Sequence, residues 1–147
     1  MRTLARDHSD MVSFFSEDID FKVVNPIKTK KWIKNASFSE GYEVSQLNYI
    51  FCSDEYLLEI NKQYLDHDYF TDIITFDNSE EDKELEGDIY ISVDRVRDNA
   101  ETFHTDFDSE MRRVLIHGLL HLVGYEDSSE ALKTAMRAKE DEYLRLF

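Results

Sequence analysis

Between Ile116 and Asp127 the chain reads Ile-His-Gly-Leu-Leu-His-Leu-Val-Gly-Tyr-Glu-Asp, and no other segment restricts the fold as much. His117 and His121 are four residues apart, so on a helix they lie one above the other and both rings reach one ion about 2 Å away. Met111, Val114, Leu115, Leu119 and Leu122 give the same helix an apolar face, which another layer has to cover. Gly124 accepts a left-handed conformation that ends the helix and turns the chain back, bringing Asp127 round as a third ligand. Three protein ligands leave a fourth position open, as in a catalytic rather than a structural zinc site. Each element of this reading has a competitor. Histidines at this spacing also occur as partly buried, hydrogen-bonded pairs. Asp127-Ser128-Ser129-Glu130 has the form of a helix-capping box, and a helical pattern follows it.

The remaining elements supply the layers. Met11 to Phe15 reads as a short strand, and Asp20 to Val24 is a second candidate. Asn25-Pro26 offers a cap and a first-turn proline for a helix through about Asn35. Tyr42 to Ser53 is rich enough in β-branched and aromatic residues for a strand, and from Asp54 to about Asp66 the apolar residues follow helical spacing. Asp72 to Phe76 and Gly87 to Val93 are strands flanking an acidic loop, and they pair as neighbours. Val93, Val96, Ala100 and Phe103 mark a helix after Ser92. The histidine helix is capped by Asp108 or Ser109, and the last helix runs from Ser128 nearly to Phe147. The expectation is an α+β domain over residues 1–147: a mixed sheet of about four strands packed with about five helices, the metal site on one helix and the turn after it.

Charge bounds the partners. A net charge of −15 argues against broad affinity for nucleic acid, since phosphates are neutralised by Lys and Arg. Local patches remain possible at Lys28, Lys30, Lys31 and Lys34, and at Arg112 and Arg113; the bland reading of each is a solvated helix face. The single cysteine, Cys52, excludes an internal disulfide and lies in an apolar run, which reads as an inert buried thiol in a reducing compartment, the cytoplasm by default. Met1 to His8 has no continuous apolar core for a targeting segment, and no stretch approaches the length of a membrane span.

The histidine segment resembles the hallmark of the YbeY endoribonucleases, His-Gly-x-Leu-His-Leu-x-Gly-Tyr-Asp-His. His117, Gly118, Leu120, His121, Leu122, Gly124 and Tyr125 match it, while Glu126 and Asp127 differ. Asn61-Lys62-Gln63-Tyr64, Thr71-Asp72-Ile73-Ile74-Thr75-Phe76 and Gly87-Asp88-Ile89 are similar to upstream blocks of that family, in the same order. The resemblance covers roughly residues 40 to 130. It implies a single-strand endoribonuclease of ribosomal RNA maturation and ribosome quality control. It also implies one zinc ion, or another divalent transition metal, per chain. RNA and the small ribosomal subunit or its associated proteins would be its partners. Asp127 takes the place of the family's third zinc-binding histidine; its oxygen reaches zinc at a similar distance but makes the ion less positive. Leu65 stands where the family has a phosphate-handling arginine beside Tyr64, and leucine has neither charge nor donor. Phe70 replaces a proline before Thr71.

A metal held by His117, His121 and Asp127 lowers the pKa of bound water and polarises a phosphoryl oxygen. Glu126 is the nearest acid to act on that water, with Asp72 or Asp88 orienting the site; each of these acids also suits a turn or helix cap. Two other functions compete. One is a ribosome-associated binding factor with a largely structural metal, favoured by Leu65. The other is a metalloprotease, disfavoured because Gly118 occupies the position of the His-Glu-x-x-His glutamate.

Overall fold

The computed structural model describes residues 11–67 and 69–147, so the reading of Met1 to His8 falls outside the described residues. Four strands, β1 (Val12–Ser16), β2 (Glu43–Cys52), β3 (Ile73–Asp77) and β4 (Glu84–Ser92), form a sheet in the order β1-β2-β4-β3. β1 and β4 run parallel to β2 on either side, and β3 closes the sheet antiparallel to β4, giving the expected mixed sheet with the two late strands paired. Five helices complete the α+β fold: α1 (Pro26–Ser39), α2 (Asp54–Leu65), α3 (Val93–Thr102), α4 (Phe107–Leu122) and α5 (Glu130–Leu144).

Alternation along the strands sorts the core into two sides. Leu47, Tyr49 and Phe51 of β2 and Leu85, Ile89 and Ile91 of β4 face the larger cluster, where α1, α3, α4 and α5 pack. Cys52, Ile74, Phe76 and Tyr90 point to the other face, covered by Leu57 and Ile60 of α2. Burial, with Asp18 and other acids nearby, pushes the Cys52 thiol up to about 12, as expected of an inert thiol. α4 is fastened to the sheet from below: the buried Tyr49 hydroxyl donates to the Leu115 carbonyl at 2.9 Å. Gly118 lets the helix lie close, because a Cβ there would stand 2.9 Å from Ile73 Cδ1 and 3.0 Å from Ile89 Cγ2. Trp32 Nε1 donates to the Tyr143 carbonyl at 2.7 Å, tying α1 to α5.

Several boundaries differ from the sequence reading. Residues 20–24 form no strand, and α1 continues to Ser39. Asn25 occupies the cap position of α1 with φ 52°, but its side chain makes no capping bond. β4 begins inside the acidic run, because Leu85 pairs with Val44 and is 1% exposed while Glu84 and Glu86 face water. Pairing and one core leucine outweigh the acidic composition. α4 is capped by Asp106, which accepts from Ser109 N at 3.1 Å, rather than by Asp108 or Ser109. Phe103 ends α3 and is exposed rather than marking its apolar face. Among the described residues no helix is long and apolar enough to cross a membrane.

Candidate metal centre

The end of α4 closes in a hydrogen-bonded turn that fixes where the following residues go. Gly124 has φ 107°; its N–H donates to the His121 carbonyl at 3.1 Å and Tyr125 N–H to the Leu120 carbonyl at 3.0 Å, the paired bonds of a Schellman motif. Tyr125 then anchors the exit, its hydroxyl donating to Glu40 Oε1 at 3.0 Å. Asp127 is carried back over the last turns of α4. His117 Nε2 lies 3.0 Å from His121 Nε2 and 3.4 Å from Asp127 Oδ2, and His121 Nε2 lies 3.5 Å from the same oxygen. Ligands about 2.05 Å from a tetrahedral zinc stand about 3.3 Å from one another, so the triangle has the edge lengths of three corners of that tetrahedron. The chemistry of the set agrees, since neutral imidazole nitrogens and a carboxylate all present lone pairs to one point.

The capping alternative for Asp127 is answered by Ser129. Ser129 caps α5, its hydroxyl accepting from Leu132 N at 3.1 Å, and Asp127 makes no such bond. A residue that sequence reasoning missed completes the arrangement. Glu140 of α5, 4% exposed, places Oε2 2.6 Å from His117 Nδ1, and its other oxygen accepts from Arg113 Nη1 at 2.8 Å. A carboxylate at that distance accepts a hydrogen bond from Nδ1–H, the tautomer in which Nε2 would be the nitrogen available to a metal. Burial opposes a charge on the His117 ring, but the hydrogen bond and charge of Glu140, with Asp127 and Asp72, outweigh it and raise its pKa. Arg113 also donates to Asp141 at 2.7 Å. The signal for Glu140 was its spacing: it shares the buried stripe of α5 with Met136 and Tyr143.

The three side chains are divided between the walls of two clefts. One, of about 560 Å³, has His117 and Asp127 in its wall together with Asp72, Arg113, Lys133 and Arg137. Asp72 and Glu110 both face it, and burial holds both carboxyls above their ordinary range. The other, of about 260 Å³, has His121 and Leu65 in its wall. Asp88 is on the opposite face of the sheet, accepting from Asn48 at 3.0 Å and lining a hollow with Tyr56 and Tyr90, so it does not orient the histidines. Glu126 is exposed on the turn and lines neither cleft. The four lysines of α1 all fall on the side of the helix opposite the buried Thr29, Trp32, Ile33 and Ala36. Lys28 and Lys31 line a groove of about 830 Å³ beside Phe147, Lys30 lies over the Phe14 ring, and Lys34 lines a hollow beside Met11 and Phe38. Arg112 lies over the Phe147 ring, 4.5 Å from its centroid.

Residues 12–147 match the family model described as Endoribonuclease YbeY. An endoribonuclease YbeY of Cytophaga hutchinsonii is 51% identical over 137 residues, 93% of this chain and 96% of that protein. One of Flavobacterium psychrophilum is 50% identical over 137 residues, again 93% of this chain and 96% of that protein. The solution structure of a Thermotoga maritima protein superposes with a TM-score of 0.65 at 28% identity, covering 91% of this chain and 87% of that one.

Proposed function

This chain belongs to the endoribonuclease YbeY family, and we propose that it is a metal-dependent endoribonuclease that hydrolyses single-stranded RNA. The observation that carries the reading is the His117, His121 and Asp127 triangle, with His117 and Asp127 lining one cleft and His121 another. One zinc ion per chain, or another divalent transition metal, fits this donor set. Such an ion supplies Lewis acidity, polarising a phosphoryl oxygen and making water a nucleophile near neutral pH. The chain's own residues do the rest. Glu140 keeps the His117 ring in its ligating orientation. Lys133 and Arg137, which line the His117 cleft, bind the phosphates flanking the scissile bond. The acceptor for the proton of the attacking water is either Glu126, which adjoins Asp127 but is exposed on the turn, or Asp72, which lines the His117 cleft. Gly118 offers no base, as it lies against Ile73 and Ile89, so a protease mechanism lacks its glutamate.

The substrate context that fits this family is ribosomal RNA maturation and ribosome quality control on the small subunit, carried out in the cytoplasm by one domain spanning the chain. Leu65 favours a second reading, a binding factor whose metal is largely structural, because among the described residues no Lys or Arg lines the His121 cleft beside it. Cleavage of a labelled single-stranded RNA separates the two. The ribonuclease reading expects chelator and His121→Ala each to abolish cleavage while the fold persists. The binding-factor reading expects no cleavage by the metal-loaded protein. With Glu126 as the acceptor, Glu126→Gln is expected to slow cleavage by about a hundredfold or more at constant metal content. A silent Glu126→Gln together with an inactive Asp72→Asn would transfer the proton to Asp72.

A further inference from the structure

Asn61, near the end of α2, fastens both His67 and Tyr69 after that helix. Asn61, 1% exposed, accepts from His67 N–H at 3.0 Å through its backbone carbonyl and donates from its side-chain Nδ2 to the Tyr69 carbonyl at 2.8 Å. Asp66 between them takes φ 55°. The result is an ordered aromatic pair: the His67 and Tyr69 rings stack with centroids 5.1 Å apart and planes 21° apart, and Tyr69 Oη lies 3.0 Å from His67 Nδ1. Tyr69 remains 56% exposed. An aromatic surface left in water and yet fixed by a buried asparagine is not explained by core packing.

The pair lines the same cleft of about 260 Å³ as His121, with Asn61, Leu65 and Thr71. Among the described residues no Lys, Arg, Asp or Glu lines that cleft, whereas Arg113, Lys133 and Arg137, with Asp72, Glu110, Asp127 and Glu140, line the one on the His117 side. The two sides of the triangle thus differ: charged groups of both signs, Asp72 and Glu110 among them, line the His117 side, while the His121 side offers an uncharged plane. Bases of a single strand splay out and stack on aromatic rings, while the faces of paired bases are covered. We propose that His67 and Tyr69 form a stacking subsite for an unpaired nucleobase next to the cleaved phosphodiester. The subsite rests on the ribonuclease reading and makes the requirement for single-stranded RNA a property of this cleft.

The test uses the metal-loaded protein and an uncleavable 2′-O-methyl oligonucleotide, intact or with one abasic position moved along it, with affinity read by fluorescence anisotropy. Tyr69→Ala should weaken binding of the intact strand at least about fivefold, the effect of losing one stacked base. Tyr69→Phe should bind like wild type, since the Asn61 bond goes to the backbone. At one abasic position wild type and Tyr69→Ala should bind alike, because the base that stacks is missing. Equal affinity of wild type and Tyr69→Ala for the intact strand would overturn the subsite. So would a loss of the same size at every abasic position, the mark of a merely structural role. A wild type that neither binds nor cleaves any single strand would overturn the ribonuclease reading, and the subsite with it.

Discussion

Asp127 lies between two elements that both have use for a carboxylate, the helix that follows it and the histidines before it. Ser129 takes the first task, accepting from Leu132 N, and this leaves Asp127 facing His117 and His121. The two substitutions should therefore separate. Asp127→Asn is expected to weaken zinc binding in a metal titration while changing stability by no more than about 0.5 kcal/mol. Ser129→Ala should lose about 1 kcal/mol in thermal or urea unfolding and keep its metal. The opposite pattern would return Asp127 to capping. The histidines were legible because a four-residue spacing on a helix fixes their geometry whatever surrounds them. The cap was not, because Asp127-Ser128-Ser129-Glu130 has the box form with Asp127 as its cap, whereas Ser129, the residue that caps, has Leu132 and no Glu or Gln three residues on. Glu140 was hidden for another reason, lying in the charged run Lys139-Glu140-Asp141-Glu142, where only the stripe with Met136 and Tyr143 distinguishes it. Glu140→Gln should lower metal affinity by about 10- to 100-fold, the usual consequence of loosening a histidine's outer partner. Unchanged affinity would make Glu140 only a partner of Arg113.

At the scale of elements, the triangle depends on α5 and the turn after α4 being held together, and Glu40 at the end of α1 joins them. Tyr125 donates to one Glu40 oxygen and Tyr143 to the other, with Lys139 Nζ 3.4 Å away. Burial alone would raise the Glu40 pKa from 4.5, but the two tyrosines and Lys139 outweigh it and bring it below that value. A carboxyl with a depressed folded pKa adds stability above its unfolded pKa and loses it as pH falls through the folded one. Wild type should therefore be more stable than Glu40→Gln to urea at neutral pH, and the gap should close as pH drops below the ordinary carboxylate range. A gap independent of pH would mean that the clamp acts through packing and not charge. Nothing in the sequence announced this clamp, since Glu40, Tyr125 and Tyr143 meet only when three separated elements pack. The elements themselves were largely legible from periodicity. The exceptions follow from pairing: β4 starts at Glu84 because β2 offers it a partner strand, and residues 20–24 have none.

For the molecule as a whole, a chain of net charge −15 meets an anionic substrate through local arrangement. The lysines of α1, the most visible cluster in the sequence, line neither histidine cleft, while Lys133 and Arg137, unremarkable in an acidic helix, line the cleft beside His117. Sequence gives charge along the chain, and only packing gives charge around a point. The central claim is that one ion in the triangle of His117, His121 and Asp127 enables RNA cleavage, and it is tested most directly by returning metal to metal-depleted protein. Cleavage of a labelled single-stranded RNA would be followed as zinc is added. The account predicts no cleavage at the start, a rise that saturates at one equivalent per chain, and no rise for the His117→Ala, His121→Ala double variant. Full cleavage by the depleted protein, or an equal rise in the double variant, would contradict it.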